Sequence, residues 1–499
     1  MATATKAGGR AGGDGARNGK AGGGAGNGKA NGGTRNGGTR NGGTRNGGTR
    51  NGGTPPPASR AVRYTVVGGL LLALLAGVGG ITVGILADQG YLPGDSMREV
   101  WNTPYDDHGS SESGNASWAS GDTLAAARAD GVTGYDARTV ARRWRHEPGD
   151  GATVCSVSRT AADGVVLIAQ GTPSAPGEPA KGAGCATVTA LDLAQGRELW
   201  RTTRVAATDR IQDERDLVAV GGGLAVVRDE DPDWPYSWAG ERPGSVRPDR
   251  ALRALDLRTG KPRWTARTPK GCVPYRVAAA ERQVLALLVC DRVDIRLAAF
   301  DPANGKHRWT TPLDERRRVE PIPHAPEFLS ADPVVVRVDS LDESGSDTFL
   351  SFSADGRPQG RIASGGINDD FEGDRPAVAK VAYGRLYLIG SVFQDTVTAF
   401  DLRSGERLWR ARLELREDAL GLGIAGGRVT VPVDLYGSSA EDGLVVLDAD
   451  TGDERDLRTF PDSVASSTGD LQDVLFHEGR LILARTAGYD RPFTAYEER

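Results

Sequence analysis

The chain has 499 residues and a net charge of −5, and 69 of its residues are glycine. This length exceeds one ordinary compact domain and is typical of two or three domains or of a repeat array. Residues 1–63 carry eleven Lys and Arg and one acid, a net charge of +10, which leaves −15 on the remainder. The basic part and the acidic part therefore need separate explanations.

The N-terminal segment has low complexity. Residues 1–57 are mostly Gly, Ala, Asn, Thr and Arg, and the pentad RNGGT repeats over residues 35–54. Such a segment cannot bury enough apolar surface to offset its backbone entropy, so we expect residues 1–63 to be a disordered basic tail. No aromatic residue stands between the arginines to stack on bases. A solvated tail is therefore favoured over one that binds nucleic acid or anionic lipid.

An apolar segment follows the tail. Residues 64–87, YTVVGGLLLALLAGVGGITVGILA, contain no charge, and as a helix they would reach roughly 36 Å, enough to cross a bilayer. Arg60 and Arg63 precede the segment and Asp88 follows it, which predicts a cytoplasmic tail and an extracytoplasmic body at a bacterial cell membrane. A cleaved signal peptide would have a much shorter basic region. We therefore predict an uncleaved signal anchor, with residues 88–97 as a linker.

Two glycines of this segment have a spacing found in helix dimers. Gly80 and Gly84 form a GxxxG pair, which lets two helix backbones approach closely. A homodimer through this pair is a hypothesis, because segments rich in Gly and Ala produce such pairs by chance.

A thirteen-residue pattern recurs after the apolar segment. Each copy predicts a short apolar strand, an Asp that starts a tight turn, a Gly that closes it at positive φ, and a strand that reaches Trp. Two residues before each Asp stands a small Ala, which indicates that the large Trp packs on it. The copies are VTALDLAQGRELW (188–200), LRALDLRTGKPRW (252–264), LAAFDPANGKHRW (297–309) and VTAFDLRSGERLW (397–409).

The acids at these turns recur at spacings of 45 to 64 residues, with strand-like segments between them; they are Asp136, Asp192, Asp256, Asp301, Asp355, Asp401, Asp448 and Glu497. Such periods are typical of β-propeller blades. Residues 98–104, REVWNTP, form a Trp strand without a turn, and residues 491–499, RPFTAYEER, a turn-side strand without a Trp. Because the two halves complement each other, we predict an all-β fold for residues 98–499. It is an eight-bladed propeller of four-stranded blades, with seven blades as the alternative.

The repeat resembles that of the PQQ-binding-like β-propellers, the superfamily of quinoprotein alcohol dehydrogenases. Four copies match well; the first has Val140 in place of Gly, the fifth (350–362) has a shortened turn and no Trp, and the seventh is expected to have Leu457 in place of Trp. An active dehydrogenase of this superfamily carries adjacent cysteines and a Ca²⁺ site. Neither Cys-Cys nor CxxCH occurs here. The resemblance therefore implies the fold, but no catalytic residue, cofactor or metal ligand is carried over.

The four cysteines, Cys155, Cys185, Cys272 and Cys290, all follow the apolar segment. An even count outside the membrane favours disulfides. The first two and the last two each lie inside one predicted blade, so we expect these pairs, although three connectivities exist. Metal binding is the alternative, but the sequence has no CxxC.

Loops hold the remaining candidate sites. Residues 228–250 exceed what a blade needs and contain Trp234, Tyr236 and Trp238, residue types that often dominate protein interfaces. The alternative is that they pack on the propeller rim. Residues 368–376, NDDFEGDRP, could hold Ca²⁺ but lack the EF-hand spacing; residues 314–328 predict a surface loop.

These features favour a non-catalytic binding or scaffold module that is anchored by one span and binds protein outside the membrane. The alternative is a PQQ-dependent oxidoreductase with a non-standard site. The five histidines form no catalytic motif.

Overall fold

The computed structural model describes residues 96–497 except 106–114, 150, 173–184, 205–215, 230–251, 292, 321–325, 340–346, 365–376, 391–394, 414–416, 436–441, 462–470 and 486–490. The predicted tail, the apolar segment and its Gly80–Gly84 pair lie outside the described residues. Within the described residues, no helix is long and apolar enough to span a membrane.

The described chain forms eight antiparallel sheets, the blades. Blade 1 is β2 (Ala116–Ser120), β3 (Thr123–Arg128), β4 (Gly131–Asp136) and β5 (Arg142–His146); blade 2 is β6 (Thr153–Val157), β7 (Val165–Gly171), β8 (Thr187–Asp192) and β9 (Arg197–Thr203). Blade 3 is β10 (Val218–Gly221), β11 (Leu224–Arg228), β12 (Leu252–Asp256) and β13 (Pro262–Ala266); blade 4 is β14 (Cys272–Ala279), β15 (Val284–Cys290), β16 (Asp294–Phe300) and β17 (His307–Pro312).

Blade 5 is β18 (Glu327–Ala331), β19 (Val334–Val338), β20 (Thr348–Phe352) and β21 (Pro358–Ala363); blade 6 is β22 (Ala379–Ala382), β23 (Arg385–Ile389), β24 (Thr396–Asp401) and β25 (Arg407–Arg412). Blade 7 is β26 (Glu417–Ala419), β27 (Gly423–Ala425), β28 (Arg428–Leu435), β29 (Gly443–Asp448) and β30 (Glu454–Thr459); blade 8 is β31 (Leu471–His477), β32 (Arg480–Arg485), β33 (Phe493–Glu497) and, from the other end of the chain, β1 (Arg98–Asn102). The predicted eight-bladed propeller and its closing blade are confirmed.

We name the four strands of each blade A to D in the order given by their pairing, so that β31, β32, β33 and β1 are strands A to D of blade 8; in blade 7, β26 and β27 together take the place of strand A. Strand A lies at the centre of the ring and strand D at its rim, since A strands of neighbouring blades contact each other. The A–B and C–D turns lie at one edge of every blade, which we name the turn face. The B–C and D–A connections lie at the opposite edge, which we name the loop face. Apolar clusters fill the spaces between successive blades, as between blades 4 and 5.

The repeated Trp joins one blade to the next, as the sequence indicated. Each Trp lies opposite the predicted small residue of its own blade, as Trp264 does with Ala254. Its ring covers the turn Gly of the next blade, and its indole N–H donates to a carbonyl of the same turn two or three residues before that Gly, as Trp264 does to Pro302 at 2.7 Å. Five rings are placed in this way: Trp144, Trp200, Trp264, Trp309 and Trp409.

Blade 5 replaces the Trp with direct backbone contact. Its C–D turn begins at Ser353, whose N–H donates to the carbonyl of Arg357, and not at Asp355 as the sequence suggested. Gly360 occupies the Trp position, and its N–H donates to the carbonyl of Leu402 in blade 6 at 3.0 Å. The Ser351 hydroxyl donates to the same carbonyl. Blade 5 therefore has a shorter C–D turn and no Trp ring, because its backbone at Gly360 contacts the backbone of blade 6 directly.

Blade 7 also lacks the Trp, but the residue at that position is Asp456, opposite Val446. The expectation that Leu457 takes the place was wrong by one residue: Asp456 follows the turn acid Asp448 at the spacing that separates Trp264 from Asp256 in blade 3. The next blade has no continuous C–D turn, and Met97 lies where its Gly would be, just before Arg98 pairs with Glu497. Met97 is buried and its N–H donates to the carbonyl of Thr459 at 2.8 Å. It fills the space that a ring occupies elsewhere.

The seam between blades 8 and 1 is different again. Trp101 packs in a cluster that contains Val140, which stands at the Gly position with φ 55°. The Trp101 indole nitrogen is buried without a hydrogen-bond partner among the described residues. A branched side chain at the docking position thus removes the hydrogen bond that the other rings make.

Candidate interaction face and central channel

The loop face carries nearly all of the length variation in the propeller. Between residues 96 and 497, every stretch outside the described residues falls in a B–C or D–A connection. The described A–B and C–D turns are short and hydrogen-bonded. Long connections on a rigid scaffold are where binding residues concentrate in proteins. The loop face is therefore the candidate interaction face.

The longest connection joins β11 to β12 in blade 3 and contains Trp234, Tyr236 and Trp238, which lie outside the described residues. Its two ends are tied together where the strands stop. Arg253 makes two hydrogen bonds to the Asp229 carboxylate, at 2.8 and 3.0 Å, and donates to the carbonyl of Thr203 in blade 2 at 2.9 Å. The base of this connection is thus fixed to two blades, an arrangement with little local sequence signal.

Two disulfides stand at the same face. Cys155 bonds to Cys185 in blade 2, and Cys272 bonds to Cys290 in blade 4, the pairs favoured from the sequence. Cys272 and Cys290 are register partners at the loop-face ends of their strands. The disulfides therefore brace the blades on either side of the long connection in blade 3.

We expect removal of either disulfide to destabilise the propeller. Replacing Cys155 and Cys185 by Ala opens a loop of 30 residues in sequence separation, and replacing the other pair opens one of 18. The lost constraint on the unfolded chain corresponds to about 3 kcal/mol for each pair. Urea unfolding of the two double variants measures this loss; unchanged midpoints would show that the bonds brace the loops alone.

Charged side chains meet in the central channel. Arg159 of blade 2 pairs with Asp216 before β10 in blade 3, at 2.7 Å, and with Glu327 of blade 5, at 3.0 Å. Arg337 pairs with Glu327 at 2.9 Å and with Asp347 at 2.8 Å. Lys380 of blade 6 pairs with Asp473 of blade 8. Two of these pairs, Arg159 with Glu327 and Lys380 with Asp473, join blades that are not neighbours, and no sequence motif marks them.

Asp347 is the most buried carboxylate of this network, with a side chain that is 0% exposed. Burial raises the pKa of Asp347 to about 6, although the Arg337 guanidinium opposes the shift and Asp339 and Glu327 add to it. Burial opposes a charged Arg337, but Glu327 and Asp347 outweigh it and raise the pKa of the guanidinium. Arg337 thus holds the two acids of blade 5 in place, and Arg159 links Glu327 to blades 2 and 3.

The remaining candidate ligands do not come together. Within the described ranges no three His, Cys, Asp or Glu side chains are placed to hold a metal ion. His307 is exposed and its Nε2 lies 2.6 Å from the Thr310 hydroxyl. The acidic stretch 368–376 lies outside the described residues. In the stretch 314–328, Asp314 is buried and accepts a hydrogen bond from the Arg316 backbone at 2.8 Å.

Sequence comparison places this ring in a known family. A profile of the family described as "Outer membrane protein assembly factor BamB" matches residues 94–231, 132–354 and 394–499, more than half of the chain. The chain belongs to this family. Membership in the BamB family confirms the predicted PQQ-like β-propeller. The unmatched residues 355–393 contain Gly360 and most of the shortened turn of blade 5.

Several solved structures resemble the chain. BamB from Moraxella catarrhalis is 16% identical, with 80% of this chain and 97% of that chain covered and a TM-score of 0.43. The computationally designed Ika8 protein is 13% identical, with 80% and 99% covered and a TM-score of 0.48. Quinohemoprotein alcohol dehydrogenase from Comamonas testosteroni is 12% identical, with 81% and 76% covered and a TM-score of 0.42. No curated protein sequence matches the chain.

Proposed function

We propose that the chain is a membrane-anchored, extracytoplasmic β-propeller that binds protein as a non-catalytic scaffold. The observation that carries the proposal is the division of the ring into a face of short turns and a face of long connections. A rigid ring that displays variable loops on one side suits a binding module. Family membership supports the same role, since the family is described by an assembly factor.

Anchoring by the span at residues 64–87, with the tail in the cytoplasm, is part of this proposal. The charge-free length of the segment and the arginines before it support that topology. The disulfides are compatible with it, because such bonds persist in oxidising compartments.

The absence of catalysis is also proposed. All four cysteines of the chain are paired in two disulfides within separate blades. The adjacent cysteine pair of the dehydrogenases therefore has no counterpart. Adding PQQ and Ca²⁺ to the purified protein should leave its melting temperature unchanged and give no dye reduction with alcohols or sugars. A thermal shift with dye reduction would favour the oxidoreductase instead.

Crosslinking at the outer side of intact cells, followed by pull-down, tests the binding role. We expect wild type to capture a defined protein that the Trp234→Ala/Trp238→Ala double variant loses, because large aromatic side chains often supply most of the binding energy at protein interfaces. Leu408→Ala, at an exposed residue on the outer strand β25 of blade 6, is the control and should keep the partner. If the double variant keeps the partner, the two Trp side chains are not needed for binding and packing on the propeller rim is favoured. If no variant captures a partner, the scaffold role is contradicted.

A further inference from the structure

Three neighbouring A–B hairpins lie on the turn face, and the outer two carry an exposed aromatic side chain. In blade 6 Tyr383 is 57% exposed, and in blade 8 Phe476 is 38% exposed. Between them lies the hairpin of blade 7, whose Gly426 and Gly427 have no heavy atom within 4 Å of where a Cβ would be. We name Tyr383, this hairpin and Phe476 the aromatic strip.

The strip is held in place by contacts between blades. The Tyr383 hydroxyl accepts a hydrogen bond from the Gly427 backbone N–H at 3.2 Å. The Phe476 ring lies over blade 7, where its nearest atom is 2.7 Å from the position of a Cβ on Gly423. Both rings are therefore fixed beside the central hairpin, and neither is covered.

Tyr383 has a left-handed backbone conformation, which Gly, Asn and Asp adopt more readily than Tyr. Its φ is 52°, at the first position of a two-residue turn. The matching positions with positive φ in other blades are Gly121, Asp163, Gly222, Gly426 and Glu478. A bulky residue in this region costs about 1 kcal/mol or more, and such strain is concentrated at functional positions. An exposed ring with a conformational cost indicates a contact outside the propeller.

The strip adjoins the point where the chain enters the ring. Phe476 is the last residue but one of β31, and the hairpin after this strand leads to Arg480, whose Nε lies 3.9 Å from the Glu497 carboxylate. Glu497 pairs in turn with Arg98, the first residue of β1. Only residues 88–95 separate the predicted span from Ser96. Fully extended, this stretch reaches at most about 30 Å, so the part of the ring around Ser96 and Arg98 must stay close to the bilayer.

We infer that the aromatic strip lies against the bilayer interface, so that the turn face faces the membrane and the loop face points away from it. This inference rests on the proposed anchoring. Aromatic side chains are favoured at the interface between headgroups and hydrocarbon, and basic side chains beside them attract anionic lipid. Arg385, Arg428 and Arg480 each begin the strand that follows one of the three hairpins.

The test uses the full chain in proteoliposomes with spin-labelled lipid. Because the four native cysteines are paired, Phe476→Cys supplies a single thiol for an environment-sensitive fluorophore. Val293→Cys, at an exposed position of the loop face, is the matched control, and Tyr383→Cys is a second probe if the first variant folds poorly. We expect the spin-labelled lipid to quench the label at 476 or 383 and to leave the label at 293 unchanged.

The outcomes separate the two proposals. If the protein floats with the vesicles but the strip labels are not quenched, or the label at 293 is quenched instead, the orientation is wrong. If the full chain does not float with the vesicles, the anchoring itself is wrong.

Discussion

Gly305→Ala should destabilise the propeller by about 3–5 kcal/mol, whereas Gly427→Ala should cost about 1–2 kcal/mol. The two glycines have nearly the same backbone conformation, with φ of 69° and 72°. They differ in what surrounds them. A Cβ on Gly305 would lie 2.5 Å from the Trp264 ring, while a Cβ on Gly427 would meet nothing within 4 Å.

The expected difference comes from the Trp that joins blades 3 and 4. To admit the methyl group, the indole must leave its place over the turn and give up its hydrogen bond to the Pro302 carbonyl. Gly427→Ala carries the same left-handed strain without this displacement, so it isolates the contribution of the ring. Urea unfolding measures both variants, and near-ultraviolet circular dichroism reports the Trp. Equal losses of stability would mean that the docked ring contributes little to the seam.

Arg337→Met should destabilise the propeller by about 3–5 kcal/mol at neutral pH, because it leaves the buried Asp347 carboxylate without its cationic partner and removes one of the two partners of Glu327. Asp347 and Glu327 are 0% and 10% exposed, and Arg337 contacts both. Arg282→Met is the matched control, since Arg282 is 82% exposed and its pair with Asp332 spans 3.4 Å. An exposed pair of this kind contributes about 1 kcal/mol or less.

The loss at position 337 should depend on pH. Burial raises the pKa of Asp347 to about 6 in the folded protein, above that of the unfolded chain. Its ionisation therefore lowers stability as pH rises through 6. Removing the guanidinium raises this pKa further, so the variant should lose more stability at pH 8 than at pH 5. Urea unfolding of wild type and variant at the two pH values measures this difference. If the loss of stability is equal at both, ionisation of Asp347 does not cause it.

The sequence predicts the blades because the repeat and the packing contact are the same residues. The Trp and the turn Gly recur at fixed spacing since each ring must cover the next Gly, as Trp264 covers Gly305. The prediction was wrong by one residue in blade 7, where Asp456 stands at the Trp position. In blade 5 the backbones meet at Gly360 and no ring is needed. A local pattern cannot show these substitutions, since each depends on the neighbouring blade.

The ion pairs of the central channel could not be predicted from the sequence for a related reason. Arg159, Asp216 and Glu327 come from three blades and have no common position in the repeat. Only closure of the ring brings them together. Trp234, Tyr236 and Trp238 remain a prediction, because they lie outside the described residues.

Blade 8 imposes an order on the making of the molecule. Strand β1 is synthesised before every other described strand of the ring, yet its partner β33 is synthesised after all of them. Until β33 is synthesised, β1 has no partner strand and Trp101 cannot pair with Ala495, nearly four hundred residues downstream. Closure of the ring therefore requires β33, and a chain cut short before β33 cannot close its last blade.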